Sequence, residues 1–336
     1  MNEKMEHCGA YSLILHINLN YILIVNNFAV INNNISWVRQ HKQAYMYKKI
    51  FSDFRSPDWQ KTTISYYQAL KAARVLLKCD HLLRMIGYTE TEFKIIYPLL
   101  LHLEAYVYSG DLKYEEHQSQ GTLYTENTWK KNIETLLKIY EIYDWEIQSE
   151  LDNLEKYFLQ ESRLLLGEIE INEQVILDIF YIRSSDIYML LRVVHKLKDI
   201  PYNEDLFKLL KPLLVIEEIR DDLESYEKDV AGNSFNTLRL YVQLYGKLQA
   251  AQKLREMRCR IIHNAIDNLA KADKRSIVQF WIAVLKIDLG IPFIFHSILN
   301  LVPGSLLVYC AKLLLINDDK YYGAIPQAID EPRIPE

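Results

Sequence analysis

From Thr62 onward the apolar residues of this chain recur at helical spacing, and only a few polar or Gly/Pro points interrupt them. Each such run has one apolar stripe to bury, and helices packed on helices bury it. With 10 Gly and 9 Pro in 336 residues, there are too few tight-turn formers for a sheet-rich fold. No internal repeat, sustained heptad or convincing strand competes with the helical pattern. The expectation is an all-α, single-domain bundle of about ten to twelve helices.

The punctuation places the helices. Gly87 and the cluster Thr89 to Glu92 stop one helix, after Met85, and cap the next, which runs from Glu92 to Glu116. A polar loop, Gln118 to Asn127, precedes helices over Thr128 to Tyr143 and Trp145 to Leu166. A helix from Glu173 meets the adjacent serines Ser184 and Ser185, which break or kink it, and resumes through Leu197. Pro201-Tyr202-Asn203 separates it from a run beginning at Leu206, and Ala231-Gly232-Asn233-Ser234 ends that one. Further helices are expected over Phe235 to Ala270, Lys274 to Lys286 and Pro292 to Leu315. Residues 1–35 are Asn-rich and weakly patterned and read as an extension, 36–325 as the helical domain, and 326–336 as a Pro-rich tail.

Charge and cysteines narrow the function classes. A net charge of −5 with scattered Lys and Arg gives no basic stripe, so no nucleic-acid partner is expected. Any anionic ligand then has to be held locally. Cys8, Cys79, Cys259 and Cys310 form no CxxC pair and read as reduced thiols of a cytoplasmic protein. Asn and His residues interrupt the apolar segment Tyr11 to Ile31, and Pro303, Gly304 and Lys312 interrupt Ser297 to Ile316. Neither suits a membrane span, and the second suits a buried helical pair.

Three stretches carry chemistry. In Asp221-Asp222-Leu223-Glu224-Ser225-Tyr226-Glu227-Lys228-Asp229, the residues Asp221, Ser225 and Asp229 are four apart. On a helix they drift by only about 80° in total and line one face with oxygen. Hard cations take oxygen ligands and share them with substrate phosphates; a solvated acidic face is the plainer reading. Asp111 and Glu115 likewise share a face, with Tyr106, Tyr108, Leu99, Leu101 and Leu103 forming an apolar and aromatic approach. A common helix-surface cluster would look the same. In Arg183-Ser184-Ser185-Asp186-Ile187, the arginine can fork onto phosphate oxygens and Asp186 can orient it, while the helix break frees carbonyls. An ordinary helix-end ion pair is the alternative. His102, His195 and His263 have no second ligand at metal spacing and read as core or surface residues, and Phe280 and Trp281 as core.

The stretch Asp221 to Asp229 resembles the second metal motif of class I terpene synthases, (N/D)DxxSxxx(E/D), and the similarity continues through Gly232 and Asn236. Arg183-x-x-Asp186-Ile187 is similar to the diphosphate sensor, linker and effector of that family. Asp111-x-x-x-Glu115-Glu116 resembles its Asp-rich first motif, with Leu112 where a second Asp is usual. The resemblance implies a class I isoprenoid synthase fold around an apolar active-site cavity. It implies Mg²⁺, three ions in that family, held by Asp111, Glu115, Asp221, Ser225 and Asp229. A prenyl diphosphate, farnesyl or geranylgeranyl, would be bound by Arg183, Lys228 and Tyr108, with Asp186 and Ile187 completing the catalytic set. Lys320-Tyr321 would stand in for the family's C-terminal Arg-Tyr pair, which has no obvious counterpart, and the interval from Asp111 to Arg183 is short. The implied activity is ionisation and cyclisation with release of diphosphate, a carbon–oxygen lyase reaction; a homodimer is compatible with it. A chain-elongating trans-prenyltransferase and a non-catalytic helical binding protein are the rivals.

Overall fold

Capping chemistry sets the helix boundaries in this computed structural model, which describes residues 64–289, 296–315 and 323–329. Among the described residues there are twelve helices and no strand: the fold is all-α. Helix α1 (Tyr66–Met85) turns at Gly87, whose φ of 88° suits a residue without Cβ. At the start of α2 (Glu90–Ser119), Thr89 and Glu92 close a reciprocal capping box. Pro98 lies inside α2 without ending it. Helices α3 (Thr128–Ile139) and α4 (Trp145–Leu165) follow, α4 capped by Asp144 accepting the Ile147 N–H. Helix α5 (Glu173–Arg183) is capped by Asn172, and α6 (Ser185–Lys198) follows after Ser184 alone, at the expected break. Asn203 caps α7 (Glu204–Ala231), which ends at Gly232.

The single helix expected over Phe235 to Ala270 is two. Between α8 (Thr237–Tyr245) and α9 (Lys247–Lys271), Gly246 adopts φ 74° and ψ 163°, which no right-handed helix can contain. After α10 (Lys274–Leu289) come α11 (His296–Leu301) and α12 (Gly304–Leu315), so the helix expected from Pro292 to Leu315 breaks before Pro303. The N-terminal extension 1–35, Lys320 and Tyr321 lie outside the described residues.

Packing follows from the stripes. Helix α2 packs against α1, α3, α4 and α6, while α7 packs against α5, α8, α9 and α10. Leu100, Leu103, Leu151, Leu190, Leu191 and Ile219 are buried where these helices meet, each contributing about 1.5–3 kcal/mol. Helix α2 approaches α3 closely because residue 110 is glycine: a Cβ there would stand 2.7 Å from the Trp129 ring. Behind that contact Tyr114 stacks on Phe158 at 4.9 Å, and Trp129 meets Phe158 edge-on at 5.5 Å. His195 is a core residue, its Nδ1 2.7 Å from the Leu191 carbonyl and its ring edge-on to Phe207. Phe280 and Trp281 are core as well, Trp281 donating its indole N–H to the Leu307 carbonyl at 2.9 Å. Among the described residues no helix is long and apolar enough to cross a membrane.

Candidate active site

A cavity of about 960 Å³ is lined by residues of α1, α2, α4, α6 and α7, together with Arg183 at the end of α5. It gathers Tyr108 and Asp111 of α2, Arg183, Asp186 and Ile187 of α6, and Asp221 of α7. The three stretches singled out in the sequence therefore meet at one place. The lining is in larger part the apolar surface expected, but it is mixed. Leu82, Val107, Leu154, Phe158, Ile187 and Leu214 supply an apolar part, but charged side chains from α1, α2, α6 and α7 line the rest.

Arg183 is held by α7. Its Nη1 and Nη2 donate to the two oxygens of Asp222 at 3.0 and 2.9 Å, and Nε pairs with Glu218 at 3.1 Å. The Phe235 and Tyr157 rings lie 5.6 and 6.0 Å from the guanidinium carbon. Asp222 also accepts the Thr237 N–H at 2.9 Å and the Thr237 hydroxyl, both from the start of α8. Burial works against the charge on Arg183, and Asp222, Tyr157 and Glu218 outweigh it, holding its pKa above the usual range. The residue that orients Arg183 is thus Asp222, not Asp186 as expected. The reason is geometric: the break at Ser184 ends α5 with the guanidinium against α7, while Asp186 starts a new helix.

Asp186 lies in the first turn of α6, where the amides of Ile187 and of Asp186 itself favour its charge; burial and Glu218 override them and push it up to about 7. Ile187 lines the cavity with its side chain. Its carbonyl is not freed by the break, because only Ser184 lies outside the two helices and residue 187 is already within α6. That expectation is corrected: the α6 ladder engages the carbonyl. Ser184 instead turns its hydroxyl to Glu218, at 3.1 Å.

The α2 wall is different. Glu104 sits seven residues before Asp111, two turns away on the same face. It is 3% exposed, and its Oε2 has no hydrogen-bond partner among the described residues. Burial raises its pKa well above the ordinary value, and Asp186, Asp111 and Glu218 add to the effect. Asp111 has no hydrogen-bond or ion-pair partner among the described residues; burial, then Glu115 and Glu161, push its carboxyl up, against Arg183. Glu161 of α4 is pushed up to about 7 by burial, although Tyr157 and Arg183 pull the other way. Glu104, Asp111, Glu161, Asp186 and Glu218 are thus five carboxyls whose pKa values burial raises, gathered around Arg183 as the one guanidinium that several of them share.

The Asp221 to Asp229 face is built as the spacing predicts, though only Asp221 lines the cavity. Asp221 pairs with Lys78 of α1. Ser225 donates its hydroxyl to Asp229. Asn236 donates to Asp229 at 2.9 Å and to the Asp222 carbonyl at 2.6 Å, while its side-chain oxygen accepts the Leu238 N–H to cap α8. Lys228 is exposed and, like Glu115, stands outside the cavity lining. Burial pushes the Glu115 carboxyl up and Asp229 adds to it, while Lys228 and Lys71 pull the other way, so the first and second acidic stretches do face each other there. Tyr108 contacts the Tyr67 hydroxyl at 3.3 Å, and Lys71 lies over both rings at 5.4 and 5.8 Å.

The donor set suits a hard cation, being all oxygen, with spare lone pairs on Glu104 Oε2 and on Asp111. As arranged, no group of three or more Asp, Glu, His or Cys among the described residues stands ready to hold a metal ion. The fit is therefore in ligand type and in uncompensated charge. Neither a protein-family model, nor a curated protein, nor a solved structure matches this chain. Glu104, Glu218 and Asp222 were missed by sequence reasoning. The signals were present: Glu104 is two turns from Asp111, and Glu218 one turn before Asp221 and Asp222.

Proposed function

We propose that the protein is a Mg²⁺-dependent lyase of the class I terpene synthase type, ionising a prenyl diphosphate such as farnesyl or geranylgeranyl diphosphate and cyclising the resulting cation in the cytoplasm. The observation that carries the reading is the convergence of Asp111, Arg183, Asp186 and Asp221 on one cavity from three distant stretches. Asp111 and Asp221 face that cavity and would be the first residues to hold the ion, with Ser225 and Asp229 continuing the α7 face. Bound Mg²⁺ would supply Lewis-acid neutralisation of the departing diphosphate.

The chain's own residues have distinct parts. Arg183 directs three of its five N–H donors at Asp222 and Glu218, which fixes the guanidinium plane and leaves donors for a phosphate oxygen. Leu82, Val107, Leu154 and Leu214 accept the hydrocarbon chain and exclude water from it. The rings of Tyr157 and Phe158 also line the cavity and would offer aromatic surface to a developing positive charge.

The test is turnover. Purified protein with Mg²⁺ is given geranyl, farnesyl and geranylgeranyl diphosphate singly, then each with isopentenyl diphosphate. Volatile hydrocarbon and free diphosphate from one substrate alone support the lyase. Product only with isopentenyl diphosphate would replace it with chain elongation. Absence of diphosphate release throughout would leave a non-catalytic binding protein.

A further inference from the structure

The cavity has a second electrical wall. Helix α1 contributes Lys71, Arg74 and Lys78 to its lining, none of them part of a recognisable motif. At i, i+3 and i+7 they fall within an arc of about 60° and span about 10 Å of helix axis. Lys71 lies over the Tyr67 and Tyr108 rings and forms no ion pair among the described residues, though its charge reaches Glu115. Arg74 has no hydrogen-bond or ion-pair partner among the described residues. Lys78 pairs with Asp221, the leading residue of the α7 acidic stretch.

We propose that α1 is the anion-binding wall of the cavity: Lys71, Arg74 and Lys78 take the phosphate oxygens of a diphosphate head, and Lys78 releases Asp221 as it does so. This deepens the function proposed above and rests on it. The cations on the opposite wall are Arg183, already engaged by Asp222 and Glu218, and Arg220, paired with Glu217; around Arg183 stand Glu104, Asp111 and Asp186. An anion set against that wall alone would meet a surplus of like charge. Of the cations lining the cavity, Lys71 and Arg74 have no carboxylate ion pair among the described residues, which leaves α1, despite its Asp80, as the surface able to receive its oxygens. Three cations spread over two turns suit an anion with several oxygens better than a monocarboxylate, which one of them would satisfy. Lys78 and Asp221 are 66% and 40% exposed in their side chains, so the pair is weakly held and can exchange partners. Until it does, the Lys78 ammonium occupies the carboxylate that a divalent cation would use.

The exchange makes two predictions of opposite sign for one variant. Calorimetric titration of inorganic diphosphate in MgCl₂ should show Lys71→Gln, Arg74→Gln and Lys78→Gln each binding about tenfold more weakly, and the triple variant at least about a hundredfold more weakly. Lys78→Arg should keep diphosphate binding close to wild type. With no anion present, titration of Mn²⁺ followed by electron paramagnetic resonance should show Lys78→Gln binding the ion severalfold tighter than wild type. The side chains at 74 and 78 are exposed, and circular dichroism of each variant checks that the helices persist. If the wild type turns over a prenyl diphosphate while the triple variant binds diphosphate within about twofold of it, the α1 assignment is wrong and the function stands. Unchanged or weaker Mn²⁺ binding by Lys78→Gln overturns the exchange at Asp221. A wild type that neither binds diphosphate nor releases it from any substrate overturns both.

Discussion

Asp222, behind the cavity, and Glu104, in its lining, are both buried carboxylates, yet their surroundings are opposite. Asp222 accepts two hydrogen bonds from Arg183 and two from Thr237. Glu104 has an oxygen with no partner among the described residues, and the charges that act on it are other carboxyls. A fold that pairs one so thoroughly has no general difficulty in satisfying buried acids. The contrast therefore separates a structural joint, which ties α5, α7 and α8 together, from a wall whose carboxyls the proposed function would assign to a cation. Asp221 makes the same point one residue away, since its partner is a half-exposed lysine that can leave.

The largest effect should come from the joint. Asp222→Ala leaves Arg183 buried against Glu218 alone and should cost about 3–5 kcal/mol in urea denaturation. A loss under about 1 kcal/mol would mean that the joint does not hold α5 to α7. Glu161 of α4, which accepts from Gln118, tests the crowding of these carboxyls through pH. Its folded pKa is about 7 against an ordinary 4.5, so the folded state keeps a proton that the unfolded chain has lost. The stability penalty starts near the unfolded value, is complete above the folded one, and is on the order of 3 kcal/mol. Without divalent ions, the wild type should lose stability as pH rises through that window, and Glu161→Gln should flatten the slope. Equal slopes would show that the acidic cluster is already relieved by something else.

Two smaller changes sharpen the division. Gly110→Ala forces a Cβ into Trp129 beside Asp111 and should cost about 1–3 kcal/mol. It should also weaken Mn²⁺ binding at the α2 wall, measurable by titration. Ser225→Ala removes one hydroxyl hydrogen bond to Asp229 and should cost no more than about 1 kcal/mol of stability. It should nevertheless abolish turnover while circular dichroism stays helical; full activity in Ser225→Ala would remove the α7 face from the metal assignment.

Local patterns carried most of the fold. Thr89 with Glu92, the pair Ser184-Ser185, Pro201 to Asn203 and Gly232 each act within one turn of the boundary they make, so they can be read from sequence. Gly246 was passed over because apolar spacing continues on both sides of it; its positive φ is the cause of the break. Within the site, Asp111, Arg183, Asp186 and Asp221 were legible through spacing on their own helices. Their partners were not, for a different reason. Lys78 meets Asp221 across 143 residues, and Arg183 meets Asp222 across 39, distances at which helical period says nothing. Glu104 lies within an apolar run that drew attention to its leucines, although its two-turn spacing from Asp111 was available.

The most direct test of the bare wall is to look for the cation. Crystals soaked with Mn²⁺ and inorganic diphosphate should give anomalous density within coordination distance of Asp111 and Asp221, with phosphate oxygens turned toward α1. Density confined to exposed carboxylates outside the cavity, or none at all, would contradict the account.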